Sequence, residues 1–443
     1  TTPIEPRFVD FNKDLVKTKT KKGLPVLYVP NKQSGLFTLS FRYDFGLEAD
    51  KRLPIAVDYL EYLGTNKLSP EQVKQRFYQL ACDYSISAGT DNLNVTISGL
   101  NENMPKALWL VEHLLANAKV DKEAYMELVE LVKKSRKDNR SNQNANFGAL
   151  AAYGIYGPYN KVRNMMSNAE LDKTNPQTLL NLLKGLRNYK HEVLYCGQST
   201  PEALVKTIDE GHVIGKTLAN VPQGKRYTEM QTKENEVWMA PYEAKNIYMM
   251  LYNNSGKGWN VEQQPMVYLF NEYFGTGMNG IVFQELRETR GLAYNASARY
   301  TTPSRVGGTE SLQANIISQN DKMMDCVKAF NNIIDEMPQS DKAFELAKQA
   351  SMKRIATERT TKFGIINAYL QARRLGLDFD IKERIYNALP KITLKEMVEF
   401  EKQAMAKKPL RYLILGDEKN LDMKGLEKIG KIKKVTTQEI FGY

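Results

Sequence analysis

Cysteine and histidine are scarce, three of each in 443 residues. Cys82, Cys196 and Cys326 lie far apart and no C-x-x-C pair occurs. That excludes a disulfide framework and a paired-thiolate metal or redox motif, and three buried free thiols are expected. Cysteine usage therefore leaves the compartment open. His113, His191 and His212 share no metal-motif spacing and read as surface or capping residues. No run of roughly 18 or more apolar residues exists, which excludes a membrane-spanning helix. Low-complexity stretches are missing too, so a largely disordered chain is excluded. The chain opens Thr-Thr-Pro, with neither an initiator Met nor a basic-plus-apolar leader. An excised part of a longer protein is the expectation.

Acidic charge is in deficit, 51 residues against 62 basic, for a net charge of +11. The densest basic stretch, Lys133-Lys134-Ser135-Arg136-Lys137, falls late in a predicted helix. It lacks stacking aromatics and any nucleic-acid module, so no nucleic-acid partner is expected and a solvated helix face is. A basic wall facing peptide carboxylates stays open as a use for it.

What is present is a duplication. The phrase Glu61-Tyr62-Leu63-Gly64-Thr65 recurs as Glu272-Tyr273-Phe274-Gly275-Thr276, each time after an apolar helix-like run. A second matched piece follows each phrase. Phe77 and Tyr84 lead to Ser87-Ala88 in the first copy, and Arg287 and Tyr294 lead to Ser297-Ala298 in the second. The copies differ chemically, because Arg287 stands where the first copy has Phe77.

The chain is too long for one ordinary core and suits two domains of roughly 200 residues. In the first copy, strands are predicted at Leu24–Val29, Leu36–Phe45 and Glu192–Cys196, with a hairpin in Tyr84–Leu100 turning at Gly89–Asn92. Helices are predicted from about Leu53 to Leu63, from Pro70 behind a Ser69 N-cap, and over Met104–Ala118 and Lys122–Asp138. Shorter helices are expected around 146–155, 168–171 and 176–188. The second copy repeats the order, with strands at Ile247–Asn253, Leu292–Tyr300, Ser311–Ile317 and Leu410–Leu415. Its helices are expected at 263–274, 281–288, 322–337, 340–360, 364–376 and 394–405. The polar, Gly- and Pro-containing stretch before Glu236 reads as a linker. The expected division is 1–211, a linker at 212–236, and 237–443. Runs of strands followed by runs of helices indicate an α+β fold, each domain a mainly antiparallel sheet with helices packed on one face.

On these residues the chain resembles the pitrilysin (insulinase-type) zinc metallopeptidases, the inverzincins, over nearly its whole length. The resemblance implies pairs of α+β domains of the LuxS/MPP-like metallopeptidase kind, two pairs closing around a peptide. The family's motif, H-x-x-E-H, puts two histidines on one helix face to bind zinc beside a Glu that activates water. The matching window here is Asp58-Tyr59-Leu60-Glu61-Tyr62, with both histidines replaced. The family's third ligand should fall late in the Lys122–Asp138 helix, where Asp138 is the only carboxylate among Lys133, Lys134, Ser135 and Arg136. Asp58 and Glu61 without an imidazole make a poor zinc site. No metal is expected in this chain, and Glu61 is expected to satisfy backbone donors near the Gly-Thr turn.

The second copy is different. Leu286-Arg287-Glu288-Thr289-Arg290-Gly291-Leu292-Ala293-Tyr294 fits the family phrase by which a non-catalytic domain pair lends an Arg and a Tyr to the active site opposite. The resemblance makes Tyr294 a donor to a developing oxyanion and Arg287 a clamp on substrate carbonyls. It makes Gly275, Gly277 and Met278 of the Gly-rich phrase substrate-binding. The alternative is that Arg287 pairs with Glu285 or Glu288 and Tyr294 is core. The resemblance thus implies a non-catalytic half or subunit, inactive alone, whose partner is a zinc-bearing catalytic half and whose substrates are peptides. Its rival is a zinc-less scaffold subunit with no peptide chemistry. Bacterial relatives favour the periplasm over the cytoplasm.

Overall fold

The computed structural model describes residues 2–443. Two six-stranded sheets carry the fold. The first contains β1 (Val16–Lys19), β2 (Pro25–Pro30), β3 (Leu36–Tyr43), β4 (Cys82–Ala88), β5 (Leu93–Leu100) and β6 (Glu192–Gly197). Its order is β1-β2-β6-β3-β5-β4, and only β2 and β6 run parallel. The second contains β7 (Glu236–Pro241), β8 (Asn246–Asn253), β9 (Ala293–Thr301), β10 (Ser311–Gln319), β11 (Arg411–Gly416) and β12 (Lys431–Lys434). Its order is β12-β7-β11-β8-β10-β9, with β12, β7 and β11 mutually parallel. The two orders correspond strand for strand from β2 to β4 and from β7 to β9, so the duplication read from two short phrases extends through the architecture.

Central strands are apolar on both faces. Val193-Leu194-Tyr195-Cys196 in β6 and Tyr412-Leu413-Ile414-Leu415 in β11 are all buried, the pattern of strands covered from two sides. One face of each sheet is covered by helices of its own half. In the first these include Leu53–Leu60, Pro70–Gln79, Met104–Asn117 and Lys122–Arg140. In the second they include Gln264–Phe270, Met323–Asp335, Asp341–Thr357 and Leu394–Ala404. Local chemistry starts them where expected: Ser69 forms a capping box with Gln72, and the Asp121 carboxylate accepts from the Ala124 N–H at 3.0 Å.

The opposite faces are covered by exchange. Helix Gln143–Tyr156, from the first half, lays Leu150 and Tyr153 on Trp238, Met250 and Leu413 of the second sheet. Helix Phe363–Arg374, from the second half, lays Ile366 and Leu370 on Leu27, Val29 and Leu194 of the first. Ion pairs join the same boundary. Arg305 donates to both Glu48 oxygens at 2.6 and 2.7 Å and to Asp91 at 3.0 Å, Arg374 reaches Asp91 at 2.9 Å, and Arg373 holds Glu192. The halves are buckled together from both sides.

The three histidines depart from expectation, since all are buried. His191 Nε2 lies 2.8 Å from His212 Nε2, His212 Nδ1 meets the Glu112 carboxylate, and Phe41 stacks on His212 at 3.8 Å. His113 bonds Thr65 Oγ1 at 2.8 Å. Each ring has a partner, which is what makes a buried imidazole tolerable. The cysteines are buried and free, as expected. Among the described residues no helix is long and apolar enough to cross a membrane.

Candidate functional site

The matched phrases meet different backbones in the two halves. In the second half, helix Gln264–Phe270 widens into a π-turn at Asn271–Gly275, and Ile281–Phe283 widens into another at Gln284–Thr289. Such turns insert a residue into the helical ladder and shift the side chains that follow. Gly275 ends the first of them against β9, where a Cβ would lie 1.7 Å from the Ala298 carbonyl oxygen. Only glycine permits that approach. Gly277, at φ +72°, lets the loop turn outward, leaving Met278 exposed. Gly275 itself is buried, so of the three candidate contact residues only Gly277 and Met278 are open to a ligand.

The third irregularity places Tyr294. Along β9, Ala296, Ala298 and Tyr300 face the core. Strict alternation would carry Tyr294 to the same side. Instead the pairing with β10 shifts: Asn295 faces Ile317, Ala293 faces Ser318, and Tyr294 has no cross-strand partner. This β-bulge keeps Ala293 inside and turns Tyr294 out, 69% exposed. The Arg287 guanidinium lies over it, 5.7 Å from the Tyr294 ring centroid and 5.1 Å from that of Phe283. Among the described residues Arg287 has no carboxylate partner; the neighbouring Glu285 is approached by Arg290 instead, at 4.0 Å. The alternative in which Arg287 is neutralised and Tyr294 is core is therefore not what the chain adopts. A phenol donor and a guanidinium with five N–H groups stand together on the surface.

The first half is regular in the same place. Cys82 to Ala88 pair with Gly99 to Leu93 without a shift. Tyr84 consequently faces the helices and packs beside Phe77, the rings tilted and their centroids 5.2 Å apart. Asp58, Glu61 and Tyr62 sit at and just beyond the end of helix Leu53–Leu60, which stops three residues short of the expected boundary. Asp58 and Glu61 are exposed and Tyr62 is half-buried. Glu61 does not serve the backbone donors of the turn; among the described residues those go to Thr65, whose Oγ1 accepts from Lys67 and Leu68. Desolvation, then the nearby Asp83, raises the Glu61 pKa, and desolvation raises that of Asp58.

The counterpart Glu272 is held by Arg354 at 2.9 and 3.0 Å. Where the family's third ligand would fall, Arg136 turns inward to the Met166 carbonyl and Asn168. Among the described residues no group of three or more His, Cys, Asp or Glu side chains could hold a metal. The donor set of the first half, two separated carboxylates and a phenol, does not fit zinc.

A polar cavity of about 450 Å³ lies where the halves meet, bordered by Asp91, Arg226, Arg305 and Arg374. It abuts Thr301, at the end of β9 opposite Tyr294.

Residues 191–351 match a family model described as the peptidase M16 inactive domain. No curated protein matches the chain in sequence. Among solved structures, the peptidase M16 inactive domain from Pseudomonas fluorescens superposes with a TM-score of 0.69 at 15% identity, covering 91% of this chain and 98% of that one. The ferredoxin protease FusC, solved as a variant in complex with Arabidopsis ferredoxin, gives 0.72 at 11% identity over 94% of this chain and 47% of its own. The periplasmic protease PqqL from Escherichia coli gives 0.71 at 12%, over 94% and 46%. The chain thus spans about half the length of these two proteases and the whole of the isolated inactive domain. Residues 191–351 thus carry the peptidase M16 inactive-domain signature, and the chain as a whole has the two-sheet fold of these M16 structures.

Proposed function

We propose that this chain is the lid half of a zinc peptidase: it encloses peptide substrate and presents Arg287 and Tyr294 to the active site of a zinc-bearing partner half or subunit. The observation that carries the reading is the bulge at Tyr294. It occurs only in the half with the Arg, and it turns outward a ring that regular pairing would bury. Two π-turns flank the same spot, and backbone irregularities of this kind are kept where a side chain must be aimed. Two proteases about twice as long as this chain share its fold over one half, which leaves the other half of each for a catalytic pair.

In the closed assembly the Tyr294 hydroxyl would donate to the oxyanion of a tetrahedral intermediate, and Arg287 would hold a substrate carbonyl. Zinc, supplied by the partner, would activate the water. By the same reading the chain works in the periplasm, as the periplasmic protease PqqL does.

The test is to mix the purified chain with the zinc-bearing half from the same source and follow a quenched peptide. Activity should appear only on mixing, and Tyr294→Phe should lower kcat by about 10²-fold or more, the usual loss of one oxyanion donor. Activity indifferent to Tyr294 would reduce the chain to a chamber wall. Failure of the halves to associate would favour the scaffold reading. Hydrolysis by the chain alone would refute both.

A further inference from the structure

The first half has a cavity of about 260 Å³ at the place matching the Arg287/Tyr294 site of the second. It opens between helices Leu53–Leu60 and Pro70–Gln79 and the start of β4, the last strand of its sheet, which pairs only with β5. Leu63, Val73 and Leu114 form an apolar floor and the Phe77 and Tyr84 rings a wall. Glu61 and Asp83 stand at the rim with Lys74, and Tyr78 is 87% exposed beside them. The volume suits one long side chain rather than a whole small molecule.

We propose that this cavity holds a lysine or arginine side chain of an extended peptide laid along the outer edge of β4. The inference rests on the reading that the chain encloses peptides, and names one class of side chain it would select. The edge of a sheet offers unpaired backbone groups to an added strand. Here the Tyr84 N–H, pointing away from β5, is met only by its neighbour's carboxylate, Asp83 Oδ1 at 2.8 Å. A side chain entering beside Tyr84 would lay its aliphatic stem on the two rings. Its cationic head would then reach the rim, a partition basic side chains favour.

Charge decides between occupants. Glu61 feels Asp83 and Asp58 as like charges and only Lys74 as an opposite one. At the rim itself two carboxylates, Glu61 and Asp83, stand against the one ammonium of Lys74 and leave a negative mouth. An aromatic or aliphatic occupant would leave those carboxylates desolvated without a partner, whereas a cation relieves them.

The test uses fluorescence anisotropy with a labelled peptide of about ten residues, long enough to form one strand. It would be Thr- and Val-rich with a single central Lys, and compared with its norleucine analogue. The chain should bind the Lys peptide about 10-fold more tightly. Asp83→Asn combined with Glu61→Gln, both at exposed positions, should abolish the preference, so that the two peptides bind the variant equally. Lys74→Gln should strengthen Lys-peptide binding. Equal affinity for the two peptides, no saturable binding of either, or a preference that survives the double substitution would overturn the proposal. The mixing assay reads the lid function separately. A Lys preference without activity on mixing sinks that reading alone, and Tyr294-dependent activity without a Lys preference sinks this one alone.

Discussion

Glu401 lies on helix Leu394–Ala404, 1% exposed in the second core, and neither carboxyl oxygen has a hydrogen-bond partner among the described residues. Burial, then repulsion from Asp335, pushes its pKa from 4.5 up to about 8, against a smaller opposing pull from Lys402. The folded chain therefore keeps the proton up to about pH 8, whereas the unfolded chain releases it above about pH 4.5. Between those values the unfolded state binds fewer protons, so stability must fall as pH rises. At 1.36 kcal/mol per pH unit, the loss approaches a ceiling of about 5 kcal/mol, and this group adds no further slope beyond either end. Glu401→Gln removes the titration and keeps the shape. Because the chain has two cores, hydrogen exchange in the second half is the readout, at pH 5, 7 and 9. Wild type should lose protection with pH relative to the variant, and the variant should be the more stable by a few kcal/mol at pH 9. Parallel curves would show that the carboxyl is solvated or paired and would refute the argument.

Arg305→Ala leaves Glu48, only 6% exposed, without its bidentate partner. Breaking a buried pair in this way costs about 3–5 kcal/mol, and limited proteolysis should find the 212–235 connection cut faster. Gly275→Ala drives a methyl into the Ala298 carbonyl. Overpacking there should cost about 1–3 kcal/mol in thermal unfolding and lower Tyr294-dependent activity of the mixed halves. Burial depresses His191 from 6.5 to about 4, with a further push from His212. The unfolded state then binds the proton first as pH falls, so stability held above pH 6.5 is lost towards pH 4, by up to about 3 kcal/mol. His191→Gln should flatten that acid limb in a melting-temperature series.

Fold class, most strands and most helix starts were legible because they rest on short-range signals. Ser69-Pro70, Asp121 and the Gly89–Asn92 turn are local chemistry, and the repeated phrase tied the two halves together. What escaped was set by packing. The alternation in Val237–Ala240 is masked because Val237 and Met239 face their own half's helices while Trp238 and Ala240 face a helix from the other half, so β7, just past the predicted linker, went unread. Nothing in the sequence of 143–156 or 363–374 says that these helices cross over. Short helices such as Pro201–Gly211 and Ile381–Ala388 went unread beside longer neighbours. The histidines were misplaced because a pair 21 residues apart, His191 and His212, has no sequence motif; only the fold brings them together. Arg287 and Tyr294 were visible as a spacing, yet their exposure was not. No residue pattern marks the shift opposite Ser318 that turns Tyr294 outward.

That shift explains why two copies of one phrase serve different chemistry. In the first copy an apolar residue, Phe77, precedes a tyrosine in regular register, and the two rings close over a cavity whose rim is acidic. In the second a cation precedes a bulged tyrosine, and both groups stand free. An arginine at position 77, on helix Pro70–Gln79, would remove the ring that packs on the inward-facing Tyr84. Bulging β4 at Tyr84 would instead turn its ring outward and leave Phe77 and the cavity uncovered. Residue identity and backbone irregularity therefore have to change together, and the chain carries both changes in one half and neither in the other.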